Sequence, residues 1–244
     1  MHVAQNGGFP RGAHAALPVT LDELVADASA CQAAGASSVH LHPRRPGDER
    51  ESLAAEVCDP VVAAIRAAAP GLEISLSTAE TIALDGAADR IEAVSSWRTA
   101  PDVVSLNLAE EGSIELGSAL LERGIGIEAG LFELDDAEAL LAAPWRDRIR
   151  RVLVETIFEH DDSSAVALAK AIDARVAPLG KPRVWHGDDR ATWAVVEAAL
   201  GAGRDVRVGL EDSLVDPDGS PAPGNAEQVA RILAIRVRGD LRRA

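Results

Sequence analysis

The chain has 244 residues, 47% of them hydrophobic, and a formal net charge of −15. That length accommodates one α/β barrel with a sizeable core. So acidic a balance disfavours nucleic-acid binding, which calls for a basic face, and no run approaches the roughly 18–20 apolar residues of a membrane span.

The segment Met1–Gly7 lacks a basic stretch leading into an apolar core, as a secretory leader would have. The two cysteines, Cys31 and Cys58, lie in Ala-rich helical patterns far from any CxxC spacing. Reduced thiols in a cytoplasmic protein are the expectation.

In chain order, β-like runs alternate with helical patterns eight times. The first strand is His2–Gln5, followed by Asn6-Gly7-Gly8 and a long loop. Thr20 with Glu23 three residues on forms a capping-box signature for a helix over Leu21–Ala34, which Gly35 ends. Strand two is Ser38–His42, and its helix spans Asp59–Ala69 before Pro70-Gly71. Strand three, Leu72–Ser77, precedes a helix over Ala87–Trp97. Strand four, Asp102–Leu108, precedes one over Ser113–Arg123.

Strand five is Ile127–Phe132, with Asp135 as the cap of Asp136–Ala142. Strand six, Arg151–Thr156, is the cleanest β-branched run and leads to Ser164–Val176. Strand seven, Pro182–Trp185, ends in His186-Gly187-Asp188, and its helix covers Arg190–Ala202. Strand eight, Val206–Leu210, ends in Glu211-Asp212, and Asn225–Val237 is the last helix. Strands separated by helices imply parallel pairing with right-handed crossovers. Eight such units in this length predict a single-domain (β/α)8 TIM barrel. A doubly wound open sheet is the alternative, weakened by the lack of a G-x-G-x-x-G or P-loop motif.

In a barrel, active sites form at the C-terminal ends of the strands, and the reactive side chains gather there. His40 and His42 sit two apart on strand two, so both point to one face. Imidazoles so placed can converge on a divalent ion such as zinc, which takes N, O or S donors. A plain surface or core His pair is the competing reading on spacing alone. On strand eight, Arg207, Gly209 and Glu211 share a parity, and Gly209 leaves room between the two charges. Charge at barrel-facing positions is costly unless paired or bound to a ligand. An Arg207–Glu211 ion pair is the bland reading. A catalytic zinc site with two His and one carboxylate is the sharper one, and His40, His42 and Glu211 meet that count. His186 competes as the third ligand. Ser77-Thr78, Asn107, Glu128 and Arg44 complete the strand-end set, although single residues of these types often serve as caps or turn formers.

These motifs resemble the β-keto acid cleavage enzymes, typified by the 3-keto-5-aminohexanoate cleavage enzyme. The resemblance runs in order through Asn6-Gly7, Leu17–Thr20, Ala34–Ala36, Val39–Arg44, Val206–Asp212 and Asn225. It implies a (β/α)8 barrel with a divalent metal, usually zinc. It also implies a C-acyltransferase that converts a β-keto acid and acetyl-CoA to acetoacetate and a new acyl-CoA by retro-Claisen cleavage. His40, His42 and Glu211 would then be the metal ligands, and Arg207 and Asp212 the dyad that activates the keto acid. Glu128 would help position substrate, and Ser77 would hold its carboxylate. Thr78, Asn107 and Arg44 would be further substrate contacts. Partners implied are the keto acid and acetyl-CoA, with no nucleic acid and no membrane, and a homo-oligomer, tetramer or dimer.

The chain departs from the family pattern in three places. Thr78-Ala79-Glu80 stands where Thr-Gly-Gly is usual, Asn107 where Thr or Ser is common, and Pro43-Arg44-Arg45 where Val-Arg-Asp is usual. Glycine lets substrate or backbone approach closely, so its loss bears on the carboxylate pocket. The departures motivate two other readings: a metal-dependent aldolase or hydrolase acting on a keto acid without acetyl-CoA, and a non-catalytic keto-acid-binding barrel.

Overall fold

The computed structural model describes residues 1–83, 86–159 and 161–241. Eight parallel strands close into a barrel in sequence order. They are β1 (His2–Ala4), β2 (Ser38–Leu41), β3 (Glu73–Ser77), β4 (Val103–Asn107), β5 (Gly126–Leu131), β6 (Arg151–Thr156), β7 (Arg183–Gly187) and β8 (Asp205–Val208). Pairing of His2 with Arg207 and Val3 with Val208 closes the seam, which rules out the open-sheet alternative. The helices are α1 (Leu21–Ala34), α2 (Ala55–Ala68), α3 (Ala87–Ser96), α4 (Ser113–Glu122), α5 (Leu134–Ala142), α6 (Asp162–Val176), α7 (Thr192–Gly201) and α8 (Asn225–Leu241).

Strand alternation explains where the core lies. One parity of each strand is apolar: Val39 and Leu41, Ile74 and Leu76, Val104 and Leu106, Ile127 and Ala129, Val152 and Val154, Val206 and Val208. These residues pack with the helices in one buried cluster. Burying a Val, Leu or Ile side chain is worth about 1.5–3 kcal/mol, so this layer between barrel and helices carries the fold. The other parity lines the barrel interior and is unusually polar: Ser38 and His40, Ser75 and Ser77, Ser105, Glu128, Arg151 and Glu155, His186, and Arg207 are all buried. Buried polar groups must find partners, and here they find each other.

Most element boundaries agree with the sequence reading within a residue or two, and the Thr20–Glu23 capping box and the left-handed Gly35 cap are both present. Three expectations need correction. The last helix runs to Leu241 rather than ending at Val237. The second helix begins at Ala55, not Asp59, and runs through Pro60. Proline inside a helix forfeits a hydrogen bond, but starting earlier buries Val57 and Cys58 beside Val61, Val62 and Ile65. The fifth helix is capped by Glu133, not Asp135. The Asp136 carboxylate reaches back to accept from the N–H groups of Phe132 (2.8 Å) and Glu133 (3.0 Å). Both cysteines are free and buried, and among the described residues no helix is long and apolar enough to cross a membrane.

Candidate active site

The loops that follow β1 and β8 set the site. They share a small apolar cluster of Leu17, Val19, Leu210 and Ala222, with Phe9 and Leu214 against it. Asn225, the first residue of α8, ties three segments together. Its Oδ1 accepts from Leu210 N (2.7 Å), and its Nδ2 donates to Gln5 O (3.1 Å) and Asp27 Oδ2 (3.0 Å). Asn6 extends the β1–β2 ladder with its side chain: Oδ1 accepts from His42 N at 2.9 Å and Nδ2 donates to His42 O at 3.0 Å. His42 lies one residue past β2 and is held there by this amide.

At the mouth, His40, His42 and Glu211 each offer a ligand atom, all within 4.8 Å of one another. His40 Nε2 is 3.6 Å from Glu211 Oε1, and His42 Nε2 is 3.6 Å from Glu211 Oε2. The outer ring nitrogens are engaged elsewhere. His42 Nδ1 meets the Glu51 carboxylate. His40 Nδ1 is 3.1 Å from Ser75 Oγ, which donates to Glu128. Because the Ser75 proton is committed to Glu128, its oxygen accepts from His40 Nδ1–H, which leaves the Nε2 lone pair facing Glu211. A ligating His whose other N–H is held by a carboxylate or hydroxyl is a recurrent feature of metal sites. Gly7, with φ +47°, donates from its N–H to Glu211 Oε2 at 3.1 Å; a side chain there would collide with Glu211.

The electrostatics fit a cation. Burial pushes His40 down to about 3. His42 is pushed up to about 9: burial opposes this, but the Glu211 and Glu51 carboxylates prevail. A second proton on His42 would sit in the same cleft between nitrogen and carboxylate, so the cleft attracts positive charge. Glu211 is held well below its usual range, against burial, by Arg207 and then by His40 and His42. The donor set of two imidazole nitrogens and one carboxylate is that of a catalytic divalent-metal site.

Arg207 donates to Glu211 Oε1 (2.8 Å) and to Asp212 Oδ1 (2.7 Å). The ion pair that competed with the metal reading therefore exists alongside the cluster. Asp212 stays below its usual value despite burial, because of Arg207 and then His186. β8 ends at Val208, and Glu211 and Asp212 sit in the turn beyond it, where Asp212 N and Ser213 N both donate to Gly209 O. Gly209 is required by β1 rather than by its charged neighbours: a Cβ there would run into the Ala4 carbonyl.

The remaining expected residues divide. Ser77 and Asn107 line the mouth cavity of about 350 Å³, together with His40, His42, Arg207 and Asp212. Thr78 does not: its hydroxyl donates to Ser105 O, beneath the surface. Arg44 turns away as well, bonding the carbonyls of Gly7, Phe9 and Glu49, so it braces loops. Glu128 is a layer deeper, paired with Arg151 and receiving the Ser75 proton, and so reaches the site through Ser75 and His40 rather than by contact. His186 stands apart from the His40–His42–Glu211 cluster. Its Nε2 is 2.9 Å from Glu155 Oε2 and its Nδ1 is 3.4 Å from Asp212 Oδ1. Burial and Arg207 would lower His186, but Asp212 and Glu155 outweigh them and push it up to about 9. Glu51, Ser75 and Glu155 were missed in the sequence. Ser75 and Glu155 carried a signal, because they share a strand parity with Ser77 and Arg151 respectively.

Fold and site together define a (β/α)8 barrel with a His-His-Glu cluster at the C-terminal mouth. A model of the β-keto acid cleavage enzyme family matches residues 1–240, and the chain belongs to that family. It is similar to the 3-keto-5-aminohexanoate cleavage enzyme of Fusobacterium nucleatum subsp. nucleatum, with 25% identity over 237 residues, 90% of this chain and 84% of that protein. Among solved structures, the ternary complex of ObcA with C4-CoA adduct and oxalate aligns with a TM-score of 0.76 at 21% identity, over 92% of this chain and 64% of ObcA. The chain therefore spans just under two thirds of ObcA's length. The 3-dehydroquinate dehydratase of Geobacillus kaustophilus HTA426 aligns at 0.65 with 14% identity, over 96% of this chain and 90% of that one. At these identities the solved structures share the barrel fold.

Proposed function

We propose that this chain is a metal-dependent C-acyltransferase, converting a β-keto acid and acetyl-CoA to acetoacetate and a new acyl-CoA. The observation that carries the reading is the convergence of His40 Nε2, His42 Nε2 and the Glu211 carboxylate beside the Arg207–Asp212 pair in one cavity. Family membership and the activity for which the Fusobacterium relative is named support it. His40, His42 and Glu211 would hold the divalent ion, with zinc the first candidate. Bound there, it would supply Lewis-acid polarisation of a keto oxygen.

The chain's own residues supply the rest. Arg207 Nη2 and Nε clamp Asp212 Oδ1, leaving Oδ2 with a single long contact of 3.3 Å to Arg207 Nε. Oδ2 is thus the oxygen free to take a proton, and a base must lie within hydrogen-bond reach of its substrate. Arg207 keeps that carboxylate ionised until it does so. Ser77, at the end of β3 and lining the cavity, offers a hydroxyl to the substrate carboxylate. The buried His186 braces Asp212 from behind.

Metal analysis followed by a panel of 3-keto acids with acetyl-CoA tests the reading. About one equivalent of metal per chain, lost in His40→Ala, and acetoacetate only when both substrates are present are the expected results. Keto-acid turnover indifferent to acetyl-CoA would overturn it in favour of an aldolase or hydrolase.

A further inference from the structure

Asp212 has more behind it than Arg207. Three adjacent strands carry charge at one level of the barrel interior. Glu155 on β6 is in register with His186 on β7. One residue past the Trp185–Val206 pair, His186 and Arg207 come side by side on β7 and β8. All three side chains are buried. With Asp212 they form a chain. Glu155 Oε2 lies 2.9 Å from His186 Nε2, His186 Nδ1 lies 3.4 Å from Asp212 Oδ1, and Arg207 Nη2 lies 2.7 Å from the same Oδ1.

The contacts of His186 fix its protons. Nε2 meets a carboxylate oxygen, and Nδ1 meets Asp212 Oδ1 and, also at 3.4 Å, the Gly187 carbonyl. Each nitrogen faces acceptors. A neutral ring would turn a lone pair onto an oxygen at one end, so both nitrogens carry hydrogen and the ring is an imidazolium. Glu155 requires the same. Its side chain is 8% exposed, and its Oε1 is buried with no hydrogen-bond partner among the described residues. A carboxylate so buried needs a cation, and His186 is the one that touches it among the described residues. Burial and Arg207 oppose the charged ring, whereas Asp212, Glu155 and, at the rim, Asp188 favour it. Charges of alternating sign therefore run from Glu155 through His186 and Asp212 to Arg207.

The turn after β7 holds Asp212 from a second side. The Asp212 carbonyl accepts from Asp189 N at 2.7 Å and from Thr192 Oγ1 at 3.0 Å. Backbone and carboxylate are thus both fixed, with Oδ1 turned to Arg207 and His186. We propose that Glu155 and His186 are positioning residues for the proton-accepting step: Glu155 holds His186 doubly protonated, and His186 Nδ1–H occupies Asp212 Oδ1 so that Oδ2 is the oxygen presented to substrate. The inference rests on the reading of Asp212 as the base. The C2–H proton of the keto acid passes to Oδ2, and its electron pair stays with the carbon chain. The proton returns to C2 of acetoacetate once the C2–C3 bond has broken. Glu155 and His186 act through Asp212, so their loss should fall on kcat and leave KM and metal content in place.

The test uses the zinc-loaded enzyme with 3-ketohexanoate and acetyl-CoA. Glu155→Gln keeps an acceptor for His186 but removes the charge. His186→Leu removes the contact to Asp212, and His186→Asn restores an N–H at the Nδ1 position. His186→Leu should lower kcat by about 10- to 100-fold, Glu155→Gln by less, and His186→Asn should recover part of the loss. Exchange of the C2 protons into D2O without acetyl-CoA reads the base step alone and should fall in the same order. Were the role merely structural, His186→Asn, which also loses the Glu155 contact, would recover nothing. NMR of ring-15N-labelled histidine, with His186 assigned through His186→Asn, should show two N–H groups on that ring in the parent at pH 7 and one in Glu155→Gln. This spectrum decides the matter if His186→Leu does not fold. A parent ring with one N–H, or two N–H groups in both proteins, overturns the inference. So does a folded His186→Leu with the parent's kcat, or with a loss confined to KM or metal content. If C2 exchange proceeds but no acetoacetate forms, the acyltransfer reading fails alone and the exchange rates decide the inference. If neither occurs, both fall.

Discussion

Removing the Glu51 side chain should weaken metal binding without touching a ligand. Glu51 sits in the loop after β2, bridged to Arg44, and its carboxylate holds His42 Nδ1. That contact fixes the ring so that Nε2 faces Glu211, and it raises the basicity of the ligating nitrogen. Loss of such an outer partner typically costs 10- to 100-fold in metal affinity, about 1.4–2.7 kcal/mol. The Glu51 side chain is 21% exposed, so solvent screens part of its charge and places the effect toward the lower half of that range. Glu51→Ala should therefore weaken zinc binding by about 10- to 30-fold. Glu51→Gln keeps an acceptor for His42 Nδ1–H but not the charge, and should cost less than Glu51→Ala. Zinc competition against a chromophoric chelator at fixed pH measures both, with the melting temperature of the metal-free protein as a check on folding. If Glu51→Ala binds zinc within about threefold of the parent while His42→Ala loses it, the orienting role is refuted.

Three further expectations concern the barrel itself. Gly209→Ala drives a methyl group into the Ala4 carbonyl at the β8–β1 seam; backbone cannot repack as a side chain can, so a loss of about 3 kcal/mol and a melting temperature lower by roughly 6–12 °C are expected by calorimetry. Arg151→Met leaves Glu128 buried without its cation and should cost about 3–5 kcal/mol in urea unfolding, part of which Arg151→Met/Glu128→Gln recovers; additivity in that double-mutant cycle would deny the coupling. His2 is held neutral, first by burial and then by Arg151, the N-terminal amine and Arg207, well below its ordinary 6.5. The unfolded chain therefore binds a proton that the folded chain refuses, and stability falls as pH drops below about 6.5, by up to about 1.4 kcal/mol per pH unit. Unfolding His2→Gln across pH 5–7 should show a shallower decline than the parent, and equal slopes would contradict the assignment.

The barrel was legible because two periodicities coincide in this chain. Each strand carries an apolar parity that must face helices, and each helix is bounded by cap or breaker residues such as Thr20, Gly35 and Pro70-Gly71. The His40–His42 pair and Glu211 were legible for the same reason, because strand parity and strand ends are properties of local sequence. Depth within the barrel is not. Glu128 has the right phase to face the interior, but its level is set by register against Arg151 and Ser105, and that register places it beneath the mouth rather than in it. Thr78 and Arg44 stand at strand ends too, yet each meets a nearer carbonyl and is consumed by it. Glu51 could not be found by periodicity at all, since a loop returns it to His42 nine positions away in sequence. Glu155 lies between these cases. The pattern Arg151-x-Leu153-x-Glu155 puts a charge at each end of an inward-facing row, a signal present in the sequence. Only the pairing of Glu155 with His186 reveals that one of its oxygens is satisfied and the other is not. Polar residues on the interior parity of a barrel thus name the candidates, while register decides which of them bond one another and which are left for a ligand.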